Sequence, residues 1–321
     1  MSNLQRVIIV PRNGYINRIQ AWASSAILAS ELGANCSVMW ESEPVAGAAA
    51  SDFFREDALT STFISAHELT SLLGQSHDSM PRYLTVLESQ GVVVLAGHDR
   101  GEQAFMIELA ALLDSHPTLH TLVIIAGGIF SLPGTTSFRE KRGNFYAALP
   151  WSQAILDRLS SLTQQNVKPS YLALHIRGTD RSIDAPTDTS IATVLKELLA
   201  SQEIRSLFIA ADSSESLNYW VERTTSLGYL PWSLQVRTLD RSSVIAGIDA
   251  MADWISLGNS QSLIYSATSS YAHEAAVATG NFESCISLQA GAARKSLRKV
   301  VRVGQDVVLY PSRHGWLRSP S

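Results

Sequence analysis

Short, unbroken apolar runs alternate along this chain with longer segments whose apolar positions recur every three or four residues. The runs at residues 7–10, 37–40, 91–95 and 121–125, and later at 171–176, 206–210, 232–237, 262–266 and 284–288, read as strands buried on both faces. Between them, helical spacing predicts helices over about residues 17–32, 104–113, 155–162, 191–200, 214–227, 243–256 and 270–278. In the first of these, Ile19, Trp22, Ala23, Ala26, Ile27 and Leu32 define the apolar face and Gly33 is the expected terminator. Strands alternating with helices predict an α/β fold with parallel sheets covered on both faces, arranged as two doubly wound halves. We expect an N-terminal domain over residues 1–148 and a C-terminal domain over 149–321. Residues 41–90, rich in small and polar side chains, do not resolve into elements. Residues 131–144, with Pro133, Gly134 and the cluster Arg139-Glu-Lys-Arg142, read as an exposed loop.

A length of 321 residues with 45% hydrophobic and 17% charged residues fits a large core in two domains and argues against disorder. The formal net charge of -4 gives no general attraction to nucleic acid or to an anionic membrane, so any anion site is local. Cys36 and Cys285 fit neither a metal site nor a disulfide framework. With no signal-peptide pattern and no run of membrane-spanning length, a soluble, cytoplasmic protein is expected.

Four segments could carry chemistry, each at a strand-to-helix junction. His175-Ile-Arg177-Gly-Thr-Asp180-Arg181 closes the strand at 171–176. Residues two apart on a strand share a face, so His175 and Arg177 point the same way. An arginine at the carboxyl end of a parallel strand faces the crevice where open α/β sheets bind ligands, and its planar fork of donors suits a diphosphate. An isolated R-x-x-D is more often a surface ion pair. The loop Arg12-Asn13-Gly14 with Asn17, at the start of the first helix, suits an anionic or hydroxyl-rich ligand, or is simply a polar turn. It matches neither a dinucleotide glycine pattern nor a Walker loop. Asp212 ends the strand at 206–210, either capping the next helix with Glu215 or accepting bonds from a nucleobase or ribose. Thr268, Ser269 and Ser270 precede the last helix and make a metal-free phosphate cradle or an ordinary cap. Asp253, one helix earlier, either supports that site or lies on a solvated face.

Other constellations fail. His116 and His120 are separated by Pro117, His273-Glu274 is followed by Val277 where a metalloprotease motif needs histidine, and no serine lies in a nucleophile elbow.

In their order and placement these segments resemble the fucosyltransferase superfamily that includes the nodulation, core α1,6- and protein O-fucosyltransferases. Arg12 to Arg18 is similar to its first loop, His175-Ile-Arg177-Gly-Thr-Asp180 to its H-x-R-x-T-D motif, and Phe208 to Asp212 to a strand that ends there in an acidic pair. Asp253 with Thr268-Ser269-Ser270 is similar to its third motif, and Phe145 to Leu149 to the segment opening the nucleotide-binding half. Two departures stand out: Ser213 follows Asp212 where a second acid is usual, and the first loop has one glycine.

The resemblance implies a GT-B type glycosyltransferase: two Rossmann-like domains facing a cleft and inverting, metal-independent transfer from GDP-fucose or a related nucleotide sugar. It implies that Arg177 stabilises the leaving diphosphate and that Asn17 acts from across the cleft. Asp180 would orient Arg177 and Arg181, His175 would shape the pocket, and no cofactor is expected. A glycan, peptide or small-molecule acceptor fits equally. The general base, the oligomeric state and the donor base stay open. So do the alternatives of a catalytically silent nucleotide-binding module and a transferase for a different nucleotide sugar.

Overall fold

The apolar runs form two sheets, each buried on both faces, which is why so few polar residues interrupt them. In this computed structural model the structure describes residues 4–43, 46–79, 83–96, 102–116, 118–163, 170–177, 186–234, 240 and 242–289. The first sheet contains β1 (Arg6–Pro11), β2 (Asn35–Val38), β3 (Thr62–Phe63), β4 (Tyr83–Leu87), β5 (Val92–Ala96) and β6 (Thr121–Ala126), in spatial order β3-β2-β1-β6-β5-β4. The second contains β7 (Leu172–Ile176), β8 (Ser206–Ala211), β9 (Leu230–Trp232), β10 (Ser262–Ser266) and β11 (Ile286–Leu288), in order β11-β10-β7-β8-β9. The second sheet is parallel throughout. The first is mixed rather than parallel as expected, because β4 pairs antiparallel with β5.

The helices are α1 (Tyr15–Leu32), α2 (Ala50–Phe53), α3 (Ala66–Leu73), α4 (Glu102–Ser115), α5 (Phe138–Ala147), α6 (Gln153–Thr163), α7 (Asp188–Ser201), α8 (Ser214–Ser226), α9 (Val244–Gly258) and α10 (Ser270–Ala278). Gly33 ends α1 in the left-handed conformation, as its position predicted. Residues 41–90, unreadable from sequence, hold α2, β3, α3, β4 and short 3-10 turns. The expected loop at 131–144 is corrected: its second part is the start of α5, and Arg142 there is buried. The strand expected over 232–237 appears as β9, two residues earlier at its start; residues 235–239 lie outside the described residues.

The halves are not separated by a bare linker. Trp151 bridges to Phe54, Ser152 N–H donates to the Phe53 carbonyl at 2.7 Å, and Arg55 N–H donates to the Pro150 carbonyl at 2.8 Å. One hydrophobic cluster includes Val7, Trp22 and Phe54 beside the first sheet and Ala173, Phe208, Trp254 and Ala272 beside the second. Among the described residues no helix is long and apolar enough to cross a membrane.

Candidate functional site

Three neighbouring parallel strands of the second sheet deliver their carboxyl ends to one edge. His175 pairs with Ala210 and Ile176 with Ala211, so Arg177 and Asp212 leave the sheet side by side. On the other flank Leu174 pairs with Ile264, which brings the turn after Ser266 alongside Arg177. Thr268 and Ser266 share a hydrogen bond at 3.0 Å in that turn. Ser269 is buried and caps α10, its hydroxyl accepting from Ala272 N–H at 3.2 Å. The capping role foreseen for Asp212 falls instead to Ser213, whose hydroxyl accepts from Ser216 N–H at 3.1 Å.

His175 is 8% exposed, its ring 5.4 Å from that of Tyr271. Burial drives its pKa down to about 4; the Asp212 carboxylate partly offsets this and the Arg177 guanidinium adds to it. The imidazole is therefore neutral at pH 7, and its Nδ1 is buried without a hydrogen-bond partner. Behind Tyr271 lies Asp253. Its carboxyl is raised to about 8 by burial and by the neighbouring Asp249 charge, against the opposing pull of Arg158. Tyr271 feels that carboxyl, and its hydroxyl donates to the Ala250 carbonyl at 2.5 Å.

The first half meets this edge with the start of α1. Asn13 adopts a left-handed conformation (φ 70°), tolerable for asparagine, and Gly14 precedes the helix with no side-chain cap. The donors of that first turn lack the usual capping side chain. Gly127, after β6, lies so close that an added Cβ would sit 2.6 Å from the Arg12 carbonyl oxygen. Asn17, in the first turn, accepts from the Ser270 hydroxyl at 3.5 Å. Thus α1 and α10, one beside each sheet, point their positive ends at a common spot.

Arg12 is engaged elsewhere in the loop: Glu41 at 3.2 Å, Glu43 at 2.6 Å and Asp78 at 2.7 Å surround its guanidinium. Arg18, fully buried, donates to the Asn13 carbonyl at 2.8 Å and so fixes the loop from behind. Asp180 and Arg181 lie outside the described residues. The structure therefore gathers Arg177, Asp212, His175, Thr268, Ser270 and Asn17, with Asn13 and Gly14 opening the same helix and Asp253 behind. Sequence reasoning missed Tyr271, since an aromatic after Ser270 looks like any core residue, and missed the buried partners Arg142 and Glu274.

No protein-family model and no curated protein matches the chain. Solved structures do. NodZ alpha-1,6-fucosyltransferase soaked with GDP-fucose matches with TM-score 0.60 at 16% identity, over 85% of this chain and 92% of that one. POFUT1 in complex with GDP-fucose matches with TM-score 0.52 at 12% identity, over 87% and 94%. FUT1 of Arabidopsis thaliana, a mutant in complex with GDP, matches with TM-score 0.61 at 13% identity, over 86% and 69%. The chain shares its fold with these three structures. At such identities the likeness is one of fold, and it agrees with the resemblance drawn from the motifs.

Proposed function

We propose that this chain is an inverting, metal-independent glycosyltransferase moving fucose from GDP-fucose to an acceptor hydroxyl, built as two Rossmann-like GT-B domains that meet near residues 148 and 149. The acceptor oxygen attacks the anomeric carbon from the face opposite the diphosphate. The sugar–phosphate bond breaks, its electron pair stays on the β-phosphate oxygen, and the acceptor hydroxyl gives up its proton as the new bond forms. Arg177 stabilises the growing negative charge, with Thr268 and the α10 N-terminus beside it and the α1 N-terminus facing it. Fixed cationic groups thus fill the role a divalent ion plays elsewhere. Neutral His175 shapes the pocket and Asp212 contacts the nucleoside. Asp253, mostly protonated at pH 7, can donate as well as accept in that region. Asn17, supported by Ser270, binds sugar or acceptor. Arg12 acts through Asn13 and Gly14, whose loop it anchors, and Asp180 orients Arg177 and Arg181. The free thiols of Cys36 and Cys285 suit a cytoplasmic enzyme.

The observation that carries this reading is the contact of Ser270, at the start of α10, with Asn17, in the first turn of α1, on the same sheet edge from which the chain leaves β7 at Arg177, on a fold shared with structures holding GDP-fucose or GDP. Calorimetric titration of GDP in excess chelator tests it. Wild type binds and Arg177→Ala loses about tenfold to a hundredfold in affinity, the scale of a charge-assisted contact. A wild-type protein that ignores GDP would remove the donor assignment.

A further inference from the structure

Helix α5 joins the two helices that carry the proposed site, holding α10 through a buried ion pair and α1 through a partly exposed one. The Arg142 guanidinium grips Glu274 of α10 with two bonds, Nε to Oε2 at 3.1 Å and Nη2 to Oε1 at 3.2 Å. Tyr146 donates its hydroxyl to Glu274 Oε2 at 2.6 Å, and His273 Nδ1 lies 3.0 Å from Oε1. Arg142 and Tyr146 are 3% exposed and Glu274 is 0% exposed. Arg142 also lies over the Phe138 ring, 4.7 Å from its centre. The backbones nearly touch: a Cβ on Gly143 would stand 3.1 Å from the Val277 carbonyl oxygen. On its other side α5 is tied to the last turn of α1, where Lys141 meets Glu31 at 2.7 Å. Thr135, just before α5, donates to Glu31 at 2.9 Å.

These ties act at a distance from the cleft but fix what stands in it. Glu274 is one turn beyond Ser270, and Glu31 lies in the last turn of the helix whose first turn holds Asn17. A buried ion pair is a poor source of net stability, because desolvation cancels most of the attraction, and a well-packed apolar trio of the same volume serves as well. What the pair adds is direction: a bidentate fork allows one register of α10 against α5, where apolar contacts allow several. We propose that Arg142 and Glu274 are positioning residues that set where α10 begins relative to α1, and hence the geometry of the anion cradle between Thr268, Ser270 and Asn17. The inference rests on reading that cradle as the diphosphate site.

Two variants and the wild type decide it, each followed by GDP titration, GDP-fucose turnover and thermal melting. Arg142→Lys keeps the charge and loses the fork. The triple variant Arg142→Met, Tyr146→Phe, Glu274→Leu keeps the volume and leaves no buried charge unpaired. Both are expected to melt close to wild type, to bind GDP about tenfold more weakly, and to lose kcat more than KM changes, as small displacements from a reacting centre do. Wild-type affinity and kcat in a folded triple variant would show that the pair only stabilises the fold, and would overturn the inference. Should the triple variant fail to fold, Arg142→Lys decides by the same criterion. Absence of GDP binding in the wild type instead would sink the donor reading and this inference with it, whereas wild-type binding with indifferent variants sinks this inference alone.

Discussion

Asp253 is a carboxyl whose charge is set by its surroundings rather than by its identity. Burial and the nearby Asp249 charge raise it to about 8 against the weaker opposing pull of Arg158, whose guanidinium is paired with Asp249 at 2.7 Å. In the unfolded chain the same group titrates near pH ~3.9. Between those values the folded state keeps a proton that the unfolded state has lost. Asp253 therefore costs stability progressively as pH rises from about 4 to 8, and the loss levels off above that. His175, pushed down to about 4, works the other way: its contribution is lost as pH falls through the range below ~6.5. Asp253→Asn should flatten the alkaline side of the profile and raise the urea midpoint at pH 8 more than at pH 5. Parallel wild-type and variant profiles would mean that Asp253 is ionised in the folded protein. The resemblance of the chain's motifs pointed to His175, Arg177, Asp212 and Asp253 without the structure. It could not give the protonation of His175 or Asp253, which depends on how deeply the fold buries each and on the charges around it: Asp212 and Arg177 for the first, Asp249 and Arg158 for the second.

At the level of elements, the legible ones are those whose core faces are apolar. The buried strands and α1, α9 and α10 were readable for that reason, although α1 also buries Arg18, Gln20, Ser24 and Ser25. Helix α5 was not. Its buried face carries Arg142 where hydrophobic periodicity looks for a leucine, and the Pro133-Gly134 turn before it reads as loop. Strand β4 escaped because antiparallel pairing at a sheet edge leaves no helical crossover to announce it. The opening of α1 shows the complementary case, a glycine that folding alone does not explain. Gly14 has φ -66° and ψ 162°, which alanine adopts freely, and an added Cβ would meet nothing within 4 Å. Gly14→Ala is accordingly expected to change stability by less than about 0.5 kcal/mol. If the donor or acceptor backs onto this loop, the methyl occupies its space, and turnover should fall several-fold with the melting temperature unmoved. Unchanged turnover would place the ligand away from the first loop.

On the scale of the whole molecule, the two sheets are held by a continuous interior. Trp22 meets Phe54 at 5.2 Å between ring centres, Phe54 meets Trp151 at 5.3 Å, Trp151 meets Trp254 at 6.3 Å, and Trp254 meets Tyr146 at 5.5 Å. This aromatic chain runs from the first half into the second, beside the ion pair of Arg142 and Glu274. Two domains joined by a small polar interface would unfold separately and rock freely about their cleft. Here α1 and α10 are anchored in one core, and Ser270 at the start of α10 meets Asn17 in the first turn of α1. Cutting the chain at the proposed boundary would expose Trp22 and Phe54 on one side and Trp151 and Trp254 on the other. Unfolding in urea should therefore follow a single transition, with tryptophan fluorescence and far-UV circular dichroism superimposing. Trp254→Ala should lower the midpoint by the equivalent of about 3–5 kcal/mol without splitting that transition, since the cavity weakens both halves at once. Two resolved transitions, with Trp254→Ala shifting only the one that belongs to the second sheet, would instead make the halves independent folding units and the shared core a mere contact between them.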